Sequence, residues 1–172
     1  MTGACWRHVF PGHPPYGGLL IIHFRVDVKR LAEEGRSYSW PRPGRCPRCQ
    51  GRRVWVHSYV PRYFEGYVEP IWTIKYRCED CAAVHTLRPA SFWPRFRYTI
   101  RTILRALRSK ILHGQEIKNL SRQLQKYWSR GFRIQASKLR NRAGPGLDVL
   151  ADLLRRHLVP VTHAIQSEMR RL

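Results

Sequence analysis

Apolar and polar positions change their period near Pro94. Between residues 52 and 77, ahead of that point, the period is two. In "RRVWVHSYVPRYF", from 52 to 64, Val54, Val56, Ser58 and Val60 alternate with Trp55, His57 and Tyr59. In "IWTIKYRC", Trp72, Ile74 and Tyr76 alternate with Thr73, Lys75 and Arg77. Successive side chains of a strand point to opposite faces, so both stretches predict strands. "EGYVEP" supplies the turn between them, and "AVHTLRP" predicts a third strand before "SFWP" closes the segment. Upstream, "LLIIHFRV" from residue 19 predicts a buried strand. "DVKRLAEEG" predicts a short helix, with Asp27 placed to cap its start and Gly35 to end it. "RSYSWPRPG" then reads as a proline-punctuated linker. Residues 1 to 18 mix Pro, Gly and His without a period, which predicts a flexible segment.

Beyond Pro94 the spacing is helical. Ile100, Ile103, Leu104, Leu107 and Ile111 share one face, Arg101, Arg105 and Arg108 another, and Gly114 ends the run. A second helix is expected over roughly 115 to 126, burying Ile117, Leu120 and Leu124. A third is expected from about 130 to 143, where "GPG" stops it. In the tail, Leu147, Ala151, Leu154, Leu158, Val161, Ile165 and Leu172 follow alternating three- and four-residue steps, broken at Glu168 and interrupted by Pro160. That seam suits either pairing of two copies into a homodimer or packing on the helical segment, with Pro160 favouring packing. The expected organisation is a strand–helix lead-in at 19–44, a β unit at 45–94, a helical domain at 95–144 and a helical tail at 145–172. The fold class is α+β.

Cysteine adds chemistry to the β unit. "RCPRCQG" at 45–51 and "RCEDCAA" at 77–83 each hold a Cys-x-x-Cys pair, with 28 residues between Cys49 and Cys78. Zinc prefers four soft ligands in a tetrahedron, and each such turn delivers two thiolates to one side of it. The intervening length is enough for a hairpin whose near ends the metal holds, the geometry of a zinc ribbon. Cys46, Cys49, Cys78 and Cys81 are therefore the expected ligands of one structural zinc ion. A four-thiolate site is full, so the metal is expected to brace the fold and not to catalyse. Glycine would more usually follow Cys49 directly; Gln50 stands there and Gly51 comes next. Cys5 lies outside both pairs and has no expected role, and His57, His85 and His113 read as structural residues.

Charge then changes the picture of the helices. The 172 residues include 32 Lys and Arg against 11 Asp and Glu, a formal net charge of +21. Such an excess predicts a polyanionic partner. The longest apolar run, "LLII" at 19–22, is too short to span a membrane or to form a secretory signal core. No membrane partner is expected, and the expected location is cytoplasmic and nucleoid-associated. From 95 to 142, fourteen cations face the single carboxylate Glu116. Phosphates would neutralise that self-repelling block.

On a helical wheel of 132 to 143, Phe132, Ala136, Leu139 and Ala143 form a narrow apolar stripe, while Arg133, Ile134, Ser137, Lys138 and Asn141 face away. Arg can read guanine, Asn adenine, and an apolar side chain a thymine methyl group, so these five are the candidate base readers of double-stranded DNA. Arg101, Arg105, Arg108, Arg140 and Arg142 are the candidate phosphate contacts. With Ser121 allowing close approach of the preceding helix, 115 to 143 resembles a helix-turn-helix, although the connection "QKYWSRG" is longer than the usual turn. Trp55, Tyr59, Tyr63, Trp72 and Tyr76 could stack on bases, but packing within the β unit is the commoner use of such residues.

The order of these parts resembles a bacterial family of uncharacterised zinc-ribbon proteins related to the N-terminal regions of insertion-sequence transposases. The likeness rests on "IIHFRVDVKRLAEEGRSYSWPRPGRCPRCQG", on "YRCEDCAAVHTLRPASFWPRFRYT" and on the basic helical segment that follows, spanning roughly 19 to 143. It implies a zinc ribbon with a helix-turn-helix and a mobile-element context. It implies no reaction, and only the four cysteines carry over, as metal ligands.

The sequence alone therefore predicts a zinc-stabilised, sequence-specific double-stranded DNA-binding protein, either a mobile-element targeting factor or a transcriptional regulator. Catalysis is not expected. Metal-dependent transposition needs a separated trio of carboxylates, and no strand series frames three of the eleven acidic residues. The alternative is an adaptor that binds RNA or protein within a larger transposition or nucleoprotein complex.

Overall fold

The computed structural model describes residues 20–139 and 144–163. Over these residues it is a mixed α+β structure with a four-stranded sheet and four helices, and the chain divides into two compact units between Thr99 and Ile100. The flexible segment expected at 1–18, the tail beyond 163, and the candidate contacts Arg140, Asn141 and Arg142 lie outside the described residues.

The first unit is built on strand order β1-β4-β3-β2, with β1 at Leu20–Phe24, β2 at Val54–Arg62, β3 at Ile71–Cys78 and β4 at Val84–Pro89. β2, β3 and β4 form an antiparallel meander, while β1 pairs with β4 in parallel, from Leu20 opposite His85 to Phe24 opposite Pro89. A parallel pair needs a long crossover. The crossover here contains α1 (Val28–Glu34), so the strand–helix lead-in shares one sheet with the thiol-bearing strands. Asp27 caps α1 by accepting from the Lys29 and Arg30 amides, and Gly35 ends it at φ +57°. Leu31 of α1 is buried with Ile22, Trp40, Ile74, Tyr76 and Leu87 in one core.

The expected alternation along β2 is broken by a bulge. Val54 and Val56 face Cys78 and Tyr76, but after the irregularity at His57 it is Tyr59 that pairs with Ile74. One extra residue exchanges the two faces of everything beyond it. Ser58 and Val60 thereby lie opposite Lys75 and Thr73. β3 is also buried on more than one side: Ile71 and Thr73 are covered along with Ile74, Tyr76 and Cys78. Buried Arg88 on β4 donates to the Phe96 carbonyl and lies over the Phe64 ring.

The second unit contains α2 (Ile100–His113), α3 (Arg122–Lys138) and α4 (Leu147–Arg155). α2 buries Ile103, Ala106 and Leu107, leaves Arg101, Arg105 and Arg108 in solvent, and stops at Gly114, φ +67°. The two helices expected at 115–126 and 130–143 are corrected to one. Residues 115–120 form a loop, held by the buried Gln125 side chain. Its amide oxygen accepts from the Ile117 amide (2.8 Å), and its nitrogen donates to the carbonyls of Ile117 and Leu120. Ser121 is the N-cap of α3, accepting from the Leu124 amide, and does not stand on a preceding helix.

"QKYWSRG" runs as continuous helix. Gly131 reads as a turn signal in the sequence, but it serves packing: a Cβ there would sit 2.6 Å from the Val161 carbonyl carbon. The segment around Val161 lies along α3, where Gln135 donates to the Thr162 carbonyl at 2.7 Å and the Tyr127 ring stacks on His163. The expected tail seam is corrected as well. α4 ends at Arg155 and buries Val149, Leu150 and Leu153, whereas Leu147 and Ala151 are exposed. Among the described residues, no helix is long and apolar enough to cross a membrane.

Candidate metal centre

Each Cys-x-x-Cys pair sits in a turn that closes in the same way. In the first, the Cys46 amide donates to the Gly51 carbonyl (2.7 Å) and the Gln50 amide to the Cys46 carbonyl (2.8 Å). In the second, the Cys78 amide donates to the Ala83 carbonyl at 2.9 Å. The residue after each second cysteine, Gln50 and Ala82, has positive φ, +61° and +56°. That is the left-handed conformation glycine adopts without strain. The departure noted at Gln50 therefore leaves the turn intact with a side chain in a glycine-like conformation. Gly51 matters for a different reason. A Cβ there would lie 2.8 Å from Asp80 Cγ, so its absence lets the two turns approach. Arg53 joins them further, donating to Asp80 at 2.7 Å, while its backbone carbonyl accepts from the Glu79 amide.

The approach brings four sulfurs together. Cys46 Sγ is 3.7 Å from Cys81 Sγ, Cys49 Sγ is 3.6 Å from Cys78 Sγ, and all four lie within 4.8 Å of one another. A tetrahedron with metal–sulfur bonds near 2.3 Å has edges of about 3.8 Å. The cluster has the size and the donor chemistry to bind one metal ion. Cys46 and Cys78 are fully buried, Cys81 is half-buried and Cys49 is exposed. Burial pushes the metal-free Cys46 thiol up to about 12, so that thiol surrenders its proton only when a cation takes its place.

A residue read as merely structural completes the inner side. His85 on β4 is fully buried, and its Nε2 lies 3.2 Å from Cys46 Sγ. A metal-bound thiolate can only accept, so with a metal in place the ring nitrogen facing it would carry the proton. The available signal was position: His85 is four residues past Cys81, and strand alternation turns it inward beside Leu87. Together with the Arg48 amide, 3.4 Å from the same sulfur, this N–H disperses charge where water cannot reach.

The candidate DNA contacts fall on both long helices of the second unit. Arg101, Arg105 and Arg108 are exposed along α2. Arg133, Ser137 and Lys138 are exposed on α3 and Ile134 is half-buried, while Phe132 and Ala136 face the core. A second set of cations is not singled out by the charge pattern of the sequence. Lys110, Arg122, Lys126 and Arg130 rim a groove of about 630 Å³ between α2 and α3, floored by Ala106, Leu107, Ile111 and Phe132. Glu116 is at the same rim, 3.4 Å from Arg122. Of the candidate stacking aromatics, Trp55, Tyr59 and Tyr63 are exposed, Trp72 is half-buried beneath Arg36, and Tyr76 is buried.

Comparison with known proteins finds no family model, no curated protein and no solved structure that matches this chain.

Proposed function

We propose that the chain is a zinc-stabilised protein that binds double-stranded DNA through its helical unit. In this reading the four sulfurs hold one zinc as a zinc-ribbon centre. Four thiolates, with no oxygen or nitrogen ligand beside them among the described residues, form the donor set zinc takes in structural sites. When bound, the ion would cross-link the two turns and supply folding free energy to the first unit. α2, the loop at 114–121 and α3 then act as a helix-turn-helix variant with α3 as the reading helix.

The observation that carries the DNA reading is the one-sided exposure of cations. Arg101, Arg105 and Arg108 on α2, and Arg130 and Arg133 on α3, are all in solvent, and Glu116 is the one acidic residue of the two helices and their loop. In this reading Arg133 and Ser137 meet base edges, and the α2 arginines meet phosphates. Together with the resemblance to transposase-related proteins, this supports a mobile-element targeting factor or transcriptional regulator, with no reaction assigned to the chain.

A second reading, an adaptor within a nucleoprotein complex, is favoured by the α2–α3 groove, because duplex phosphates would not fill its apolar floor. Selection of bound sequences from a random duplex pool, beside an RNA pool at physiological salt, separates the two. Enrichment of a duplex motif that Arg133→Ala relaxes is the expected result. Enrichment from the RNA pool alone, or no enrichment, would overturn the DNA reading.

A further inference from the structure

Among the described residues of the first unit, part of one sheet face stands open at the end that carries the thiols. On the other face, Ile74, Tyr76 and Cys78 are buried in the core that contains Leu31 and Trp40. Residues paired directly across an antiparallel ladder project to the same side. Trp55 therefore stands beside Arg77 on the open face, and Lys75, two residues along β3, stands beside Ser58. Arg77 is exposed, Lys75 and Ser58 are half-buried, and the indole of Trp55 is 49% exposed. These four positions include no acidic residue.

The indole is also held. Arg42 Nε donates to the Val54 carbonyl at 2.9 Å, and its guanidinium carbon lies 4.3 Å from the centre of the Trp55 ring. A solvated indole fixed by a cation and flanked by two more is costly to maintain as bare surface, since its flat apolar area gains nothing from water. It has the chemistry of a stacking platform: a π surface for one base, with positive charge where the neighbouring phosphates run. The bases of a duplex are already stacked inside the helix, so an unpaired nucleotide is the ligand whose face is free.

We propose that the open sheet face is a binding site for unpaired nucleotides of a DNA or RNA strand, in which Trp55 stacks on a base and Arg77 and Lys75 take the adjacent phosphates. Arg42 is a positioning residue that keeps the indole presented. The inference rests on the nucleic-acid reading of the chain's charge, but not on docking of α2 or α3.

The test uses the full zinc-loaded chain and fluorescence anisotropy at physiological salt, with a short oligothymidylate, the equivalent oligouridylate and a mixed-sequence duplex as probes. Trp55→Ala should weaken binding of a single-stranded probe about 5- to 160-fold, the range that 1–3 kcal/mol per stacked base implies. Trp55→Phe should retain most of the affinity, and duplex binding should not change. Loss of affinity for one single-stranded probe or both supports the site and identifies the strand type. Unchanged affinity for both in Trp55→Ala, or an equal loss in Trp55→Phe, overturns it. Arg77→Ala with Lys75→Ala provides an independent check should Trp55→Ala fail to fold, and intact single-strand affinity there also overturns the proposal. Failure of the duplex reading is a separate outcome, seen as absent duplex binding with single-strand binding still dependent on Trp55.

Discussion

Replacing Gly131 with alanine sets two effects of opposite sign against each other. Inside a helix, Gly→Ala ordinarily stabilises by about 1 kcal/mol, because glycine loses more backbone entropy on folding. At position 131 the added methyl would stand 2.6 Å from the Val161 carbonyl carbon and 3.1 Å from His163 Cδ2. The neighbour is backbone, so it cannot rotate away as a flexible side chain would. The segment carrying it must move by roughly 1 Å to regain ordinary contact, at a strain of about 1–3 kcal/mol. If it detaches, the buried Val161 side chain loses about 1.5–3 kcal/mol of transfer free energy. The Gln135 amide, which donates to the Thr162 carbonyl, would lose a buried hydrogen bond, at about 1–3 kcal/mol.

The strain offsets or exceeds the helix gain, and Gly131→Ala should destabilise the second unit by up to about 2 kcal/mol net. Urea unfolding of the full chain, followed by helical circular dichroism, measures this as a lower midpoint of the helical transition. A rise in midpoint worth about 1 kcal/mol would refute the reasoning, because it would mean that the Val161 carbonyl does not lie against α3.

Four further outcomes rest on the thiol cluster and on α2. His85→Leu should weaken metal retention about 10- to 100-fold, as loss of a hydrogen bond to a ligand commonly does, and His85→Gln should recover part of it through its amide N–H; equal transfer of zinc to a chromophoric chelator from all three forms would contradict the role. Acidification should release the metal, since protons compete for the thiolates, and a chelator competition that does not vary with pH would refute this. In the metal-free chain, with Cys46 shifted from 9.0 to about 12, the unfolded state loses its proton first, so stability should fall as pH rises through that interval and be fully present below it. Arg101→Glu with Arg105→Glu and Arg108→Glu should lower duplex affinity and reduce the salt slope by roughly three, and an unchanged slope would place the phosphate contacts elsewhere.

Local chemistry made part of this molecule legible in its sequence. Asp27 and Gly35 bracket α1 because a side-chain acceptor and a left-handed glycine act within one turn of chain. The four cysteines declare a shared site because donor type and spacing are enough to suggest a common metal. What stayed hidden depends on distant partners. Parallel pairing of β1 with β4 joins residues more than 60 positions apart, as Leu20 and His85 show, and no local period encodes it. The bulge at His57 reverses the faces of β2 without altering its composition. Gly131 carries the same letter whether it ends a helix or admits a carbonyl, and only the position of Val161 decides. Gln125 looks like a solvent residue until the loop at 115–120 folds over its amide. His85 gains its meaning from Cys46, which is 39 residues away.

The most direct test of the central claim is the metal content of the purified full chain, read by native mass spectrometry, combined with limited proteolysis before and after chelation. One zinc per chain is expected, held by Cys46, Cys49, Cys78 and Cys81, with rapid cleavage between residues 45 and 83 once it is removed. A metal-free chain whose first unit resists protease as well as the untreated protein would contradict it.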